Sequence, residues 1–232
     1  MVQSIVVVGG GSAGWITANL LNAHCQRAGR KTQITLVESP DVPTIGVGEA
    51  TVPTIRRTLN DIGLPEQDVL TSAEATFKTL IRFKDWNLGE SYDHPFDRRR
   101  RPQTDSIVDR WTAQNNLPFD QSFSALSQLA DHNIAPKSPR HPQYQGSFPY
   151  AYHLDAIKLA NRLAAFGSER GIVHTLANVT DVTVSSEGLI ESVQTDRGDT
   201  LTADLYVDCT GFRSALLGGA LGVKMKSFAK YL

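Results

Sequence analysis

The chain has 232 residues, with 23 Lys and Arg against 24 Asp and Glu, and a formal charge of −1 at neutral pH. That balance gives no basis for a nucleic-acid partner or for binding to an anionic membrane surface. Its apolar fraction of 41% suits a soluble globular chain, and no apolar run approaches the roughly 20 residues needed to span a bilayer.

The first element is a β-branched run, Ser4 to Val8, feeding into Gly9-x-Gly11-x-x-Gly14. A helical pattern follows from Trp15 to about Ala28. The first glycine permits a sharp turn out of the strand, the second lets a pyrophosphate approach the backbone, and the third lets helix and strand pack closely. Ser12 and Ala13 lie between the second and third glycines, ahead of a helix N-terminus whose free N–H groups and positive dipole end face an anion. A second β-branched run, Gln33 to Val37, ends in Glu38, at the distance where an acid meets a ribose hydroxyl. Strand, glycines, helix, strand and acid in that order predict a dinucleotide-binding βαβ unit.

Ser39-Pro40-Asp41-Val42-Pro43 is a loop, since two closely spaced prolines defeat helix and central strand alike. In Thr44 to Pro53, Gly46 and Gly48 permit close approach of the backbone to something flat or anionic. Thr51 and Pro53 are placed to start a helix over Thr54–Asp61. A short helix is expected over Leu64–Thr71. From Thr76 to Trp86 the alternation predicts one strand, with Phe77, Thr79, Ile81 and Phe83 on one face and Lys78, Leu80 and Arg82 on the other. By pattern alone Lys78 is a solvated lysine.

Residues 87–150 hold most of the prolines and the run Arg98 to Arg101, which reads as a solvated loop. Only Gln121–Asp131 looks helical there. The segment is expected to be a loop-rich insertion that shapes a substrate region. Beyond His153, Leu154, Ile157, Leu159, Leu163 and Phe166 give an amphipathic helix ending near Gly167 or Gly171. Strands are predicted over Gly171–Val184, Leu189–Thr195 and Leu201–Val207. The last ends in Asp208-Cys209-Thr210-Gly211-Phe212-Arg213, a second glycine-bearing turn, and a short helix over Ala215–Leu221 follows. The N-terminus has no charged region or cleavage site of a signal peptide, so a cytoplasmic location is expected. Cys25 and Cys209 form neither a disulfide framework nor a metal set, and are expected to be small buried hydrophobes.

Gly9-x-Gly11-x-x-Gly14 and Glu38, paired with Asp208-x-x-Gly211, resemble the FAD-binding module of flavoprotein monooxygenases. With Gly46-Val47-Gly48-Glu49-Ala50-Thr51-Val52-Pro53 and Phe77-Lys78-x-x-Ile81-Arg82-Phe83-x-x-Trp86, the pattern is similar to flavin-dependent halogenases of the tryptophan halogenase type, from Val2 to Leu232. The resemblance implies an α/β, Rossmann-like FAD-binding fold with residues 87–150 inserted between its parts, 1–86 and 151–232. It implies FAD, reduced by a separate flavin reductase, with O2 and chloride or bromide giving hypohalous acid that reaches a small electron-rich arene such as an indole. Gly9, Gly11, Ser12, Ala13, Gly14 and Glu38 would hold the ADP half. Ala50, Thr51 and Val52 would line the flavin, Val179 would touch the adenine side, and Asp208 with Gly211 would complete the cofactor site.

Lys78 matches the family's essential lysine. A desolvated amine can be halogenated to a milder haloamine, and an ammonium can polarise hypohalous acid through a hydrogen bond. The family's paired-tryptophan motif, halide-binding turn and partner glutamate have no counterpart here; Trp15, Trp86 and Trp111 are wrongly spaced to replace the first. The chain therefore reads as an N-terminal portion, lacking the substrate part and without turnover of its own, and leaves a homodimer open. An aromatic hydroxylase using NAD(P)H directly and a catalytically inert FAD-binding remnant are the two alternatives.

Overall fold

A computed structural model describes residues 2–43, 50–97, 109, 111–113 and 118–231. By its internal contacts the chain divides into two units. One comprises Met1–Val47, Asp61–Leu64 and Asp155–Leu232, the other Gly48–Asn60 and Pro65–Leu154. The Gly46 to Glu49 part of the glycine loop and Arg98 to Arg101 lie outside the described residues.

In the first unit, strand β1 (Ser4–Val8) leads into helix α1 (Ser12–Arg27), and β2 (Gln33–Glu38) follows. Val6, Val7 and Val8 are buried, as are Ile34, Leu36 and Val37. Near-continuous apolar runs of this kind suit strands covered on both faces, and β1 and β2 pair in parallel.

Strand β7 (Val173–Leu176) extends this sheet beside β2, and β11 (Leu205–Asp208) extends it beside β1. The four-stranded order is β11-β1-β2-β7, parallel throughout. A long helix, Ala156–Glu169, packs on α1: the buried Asn19 amide donates to the Leu163 carbonyl at 3.0 Å, beside Gly167, where a Cβ would press on Asn19 and Ile172.

The single strand expected over Gly171–Val184 is two. β7 belongs to the parallel sheet, whereas β8 (Val179–Val184) pairs antiparallel with β9 (Ile190–Thr195), which pairs with β10 (Thr200–Leu201). The change of partner falls at Ala177 and Asn178. The Ala177 amide donates to the Glu38 carbonyl, and the Asn178 side chain donates to Asp41 and Asp196. The strand expected over Leu201–Val207 is likewise divided between β10 and β11. The expected final helix is present as a π-helical turn, Ala215–Ala220.

The second unit carries α3 (Glu66–Ser72); α2 (Thr54–Ile62) contributes residues to both. The strand expected over Thr76 to Trp86 is also two. β3 (Thr76–Lys78) pairs with β6 (Ala151–His153), and β4 (Leu80–Lys84) pairs with β5 (Ser91–Pro95). The break is at Thr79, whose carbonyl accepts from the Phe96 amide. Arg82 makes a two-pronged ion pair with Asp93, both contacts at 2.7 Å, and a third to Asp131. Of the helix expected over Gln121–Asp131, a 3-10 turn at Asp120–Ser122 and α4 (Leu126–Asp131) are present. The helix Ala156–Glu169 is then α5.

Candidate functional site

The first unit contains a nucleotide-style turn in which Gly9 and Gly14 are needed for steric reasons. Gly9 has φ +115°, and a Cβ there would run into the Cys209 carbonyl; a Cβ on Gly14 would overlap the carbonyl oxygen of Gly9. Gly11 has open space where its Cβ would be. It caps α1 without a side-chain hydrogen bond, and the first helical turn carries no acid. Ala13 is exposed, and Ser12 donates through Oγ to the Ala156 carbonyl at 3.3 Å, tying the starts of α1 and α5 together. An uncapped helix N-terminus behind an open glycine fits a pyrophosphate.

Glu38 closes the other side. Its Oε2 lies 2.8 Å from Nε2 of His174, on β7, and accepts from the indole N–H of Trp15 at 3.4 Å. Trp15 and His174 meet edge to face with centroids 4.9 Å apart. Among the described residues both polar contacts fall on Oε2. Gly10, outside the expected pattern, is the closest neighbour of this acid. A Cβ there would overlap Cβ, Cγ and Cδ of Glu38. Gly10→Ala is therefore expected to dislodge Glu38 and destabilise the chain by about 1–3 kcal/mol. Flavin titration would show an affinity loss of roughly tenfold, about 1.4 kcal/mol.

Asp208 sits at the end of β11, and its carboxylate is heavily engaged. Oδ1 accepts from the Thr210 amide and hydroxyl at 3.0 and 2.6 Å, and Oδ2 from the amides of Leu216 and Leu217, each at 2.9 Å. Burial pushes this carboxyl up, but those hydrogen bonds outweigh it and hold it below the usual range. Asp208 thus organises the turn in which Gly211 lies with φ +62°. Val179 starts β8 and packs on an apolar cluster of Val6, Val8, Val37, Val193 and Leu216. Cys209 is half-buried beside Thr17, and both cysteines are free.

In the second unit the residues around Lys78 converge. Ala50 bridges to His153, and Thr51 donates through both its amide and its Oγ1 to the Tyr152 carbonyl, each at 2.9 Å. The Tyr152 amide returns a bond to Thr51 Oγ1 at 2.9 Å. Val52 is half exposed. Lys78 donates through Nζ to the Thr51 carbonyl at 3.0 Å and stands 5.3 Å from the centre of the Phe96 ring.

The solvated lysine expected from the strand pattern is in fact buried, with 8% of its surface exposed. The reason is cross-strand. Lys78 is opposite Ala151, whose small side chain leaves room on that face, and the Thr51 carbonyl accepts the ammonium. Burial lowers the Lys78 pKa from its ordinary value. His153, on the same face of β6, is lowered by burial and then by the charge of Lys78.

Sequence reasoning missed the anchor of this arrangement. Glu66, 4% exposed, accepts from Lys137 Nζ at 2.5 Å and the Tyr144 amide at 2.6 Å on Oε2. On Oε1 it accepts from the hydroxyls of Tyr150 and Tyr152, each at 2.6 Å. The available signal was the i, i+2 spacing of Tyr150 and Tyr152, which in extended chain puts two phenols on one side. Among the described residues no group of His, Cys, Asp or Glu could hold a metal ion, and no helix is long and apolar enough to cross a membrane.

Comparison with known proteins identifies the family. The tryptophan halogenase family profile matches residues 4–232. Tryptophan 6-halogenase SttH of Streptomyces toxytricini is 35% identical over 97% of this chain and 47% of its own length. The 7-chloro-L-tryptophan 6-halogenase KtzR of Kutzneria sp. is 36% identical over 97% and 47%. The chain thus spans about half the length of the curated relatives it matches. The solved structure of Tar14, a tryptophan C-6 flavin-dependent halogenase from taromycin biosynthesis, superimposes with a TM-score of 0.90 at 36% identity, over 99% of this chain and 47% of that one. With its parallel sheet and glycine turn, the chain belongs to the tryptophan halogenase family and has its Rossmann-type FAD-binding fold.

Proposed function

We propose that this chain is the FAD-binding, lysine-bearing portion of a flavin-dependent halogenase that acts on an electron-rich, indole-like arene. The observation that carries the reading is a buried Lys78 hydrogen-bonded to the Thr51 carbonyl, in a chain matched to tryptophan halogenases almost end to end. When bound, reduced FAD supplies the electrons with which oxygen and halide yield hypohalous acid. Gly9, Gly11, Ser12, Ala13 and Gly14 would hold the pyrophosphate by backbone approach, and Glu38 the ribose. Val179 is assigned to the adenine side and Asp208 with Gly211 to the remaining cofactor contacts. Ala50, Thr51 and Val52 are assigned to the flavin through their backbone.

Lys78 would act on hypohalous acid in one of two ways. Its neutral amine takes the halogen, forming an N–halogen bond as the O–halogen bond breaks and water leaves. The arene then takes the halogen from nitrogen, which keeps the electron pair, and the proton the arene loses restores the free amine. Alternatively, the ammonium donates a hydrogen bond to the departing oxygen. Burial favours the first, because it lowers the cost of deprotonating the amine. A flavin reductase as electron source, a homodimeric state and the cytoplasm complete the proposal.

The test is a reductase-coupled assay with bromide and chloride over a panel of indoles and phenols. It uses this chain and, in parallel, a chain extended to the length of the relatives. Halogenated product from the extended form, lost in Lys78→Ala, is expected. Hydroxylated product without halide would instead identify an aromatic hydroxylase.

A further inference from the structure

Strand β6 is only three residues long, Ala151–His153, and such a short pairing is marginal unless something else fixes it. It nevertheless lies between two things whose alignment matters. On one side Phe77 and Lys78 of β3 pair with Tyr152 and Ala151; on the other, Ala50 and Thr51 pair with His153 and Tyr152. Tyr152 is common to both, through its carbonyl, its amide and its place opposite Phe77. Its side chain is fully buried and ends in a 2.6 Å bond to Glu66, a carboxylate held by three further donors.

We infer that Tyr152, anchored by Glu66, is a positioning residue that holds the Thr51 carbonyl against the Lys78 amine. The inference rests on Lys78 being the reactive group for its functional meaning, but its geometry does not. Glu66 fixes the phenol, the phenol fixes the β6 backbone, and that backbone fixes Thr51 through three hydrogen bonds. Thr51 in turn holds the ammonium at 3.0 Å, with His153 the titratable neighbour that senses its charge.

Tyr150 supplies an internal control. It is equally buried and gives the same carboxylate oxygen the same 2.6 Å bond. Yet it lies outside β6 and makes no bond to Thr51. It is also gripped independently, by Arg56 at 4.1 Å over its ring and by Phe77 edge to face at 5.2 Å. A merely structural role for the phenols predicts that the two behave alike.

The test labels the 232-residue chain with [ε-13C]lysine, assigns Lys78 by Lys78→Arg, and follows its resonance with pH. Tyr152→Phe is expected to loosen the Thr51 carbonyl from the Lys78 ammonium and lower its titration midpoint by about half a pH unit or more, whereas Tyr150→Phe leaves it in place. Equal shifts in the two variants, or none in Tyr152→Phe, would overturn the assignment. Should Tyr152→Phe fail to fold, Thr51→Val cuts the same path beyond the Glu66 cluster and must give the same fall. Thr51→Ser, which keeps the hydroxyl, must restore the original midpoint, and failure of either Thr51 result likewise refutes the inference. Because no arm reads turnover, loss of this inference would leave the catalytic reading of Lys78 to be decided by the halogenation assay.

Discussion

Glu66→Ala is expected to cost about 3–5 kcal/mol of folding stability, among the largest single-residue effects in the chain. The carboxylate accepts four hydrogen bonds in a site that is 4% exposed. Its removal takes the carboxylate bond from two fully buried phenols and one backbone amide, and the ion pair from Lys137, which is left the Pro142 carbonyl at 3.1 Å and the face of the Tyr150 ring. A chain of this size loses roughly 2–4 °C of Tm per kcal/mol, so the midpoint should fall by about 10 °C.

The pH dependence carries a second signature. Burial pushes the Glu66 carboxyl up, but Lys137, Tyr150, Tyr152 and the Tyr144 amide outweigh it and hold the group below its ordinary 4.5. A carboxyl depressed in the folded state contributes stability that is fully present above the unfolded value and is lost as pH falls through the folded one. The wild type should therefore lose stability more steeply than Glu66→Ala as pH drops below 4.5. Denaturant unfolding at stepped pH checks both points. A cost below about 1 kcal/mol would show that the network is dispensable.

Much of the first unit is written in local pattern. Val6 to Val8, and Ile34, Leu36 and Val37, form near-continuous apolar runs because both strands are covered on both faces, and at Gly9 and Gly14 the turn between β1 and α1 is dictated by backbone collisions that any side chain would cause. What periodicity does not encode is the identity of a strand's partner. Residues 76 to 84 alternate without interruption, yet β3 and β4 pair with different strands on either side of Thr79, since alternation reports a face and not a neighbour. The same is true of β7 and β8, where Asn178 bonding to two aspartates was the missed sign of a turn.

The burial of Lys78 was illegible for a related reason. It depends on Ala151 and Thr51, residues distant in sequence that are brought opposite by strand register. Only its match to a family motif singled it out. Glu66 had no motif at all: a glutamate in the first turn of a short helix ordinarily serves the helix dipole, and its four donors come from residues 137 to 152.

Lys78→Met is expected to reduce halogenated product from the extended enzyme by about 10³-fold or more while leaving the fold intact. The two outcomes have one cause. Methionine keeps the length and apolar character of the lysine stem but has no nitrogen to take up halogen or donate to hypohalous acid. The buried ammonium meanwhile costs stability. A lysine whose folded pKa is lowered prefers to fold in its neutral form, so below that pKa its charge works against folding. Losing the bond to the Thr51 carbonyl offsets part of that relief, and the net change should lie between about 0 and 1 kcal/mol in favour of the variant.

Lys78→Arg separates the two chemistries. Arginine keeps a charge and hydrogen-bond donors but does not deprotonate, so it supports polarisation of hypohalous acid and not haloamine formation. Residual halogenation by Lys78→Arg above the Lys78→Met level would favour the hydrogen-bonding route; equal inactivity would favour the amine. Flavin titration and thermal unfolding on the same variants complete the comparison. Unchanged cofactor affinity with lost product is the expected result. Retained product in Lys78→Met would remove this lysine from the mechanism.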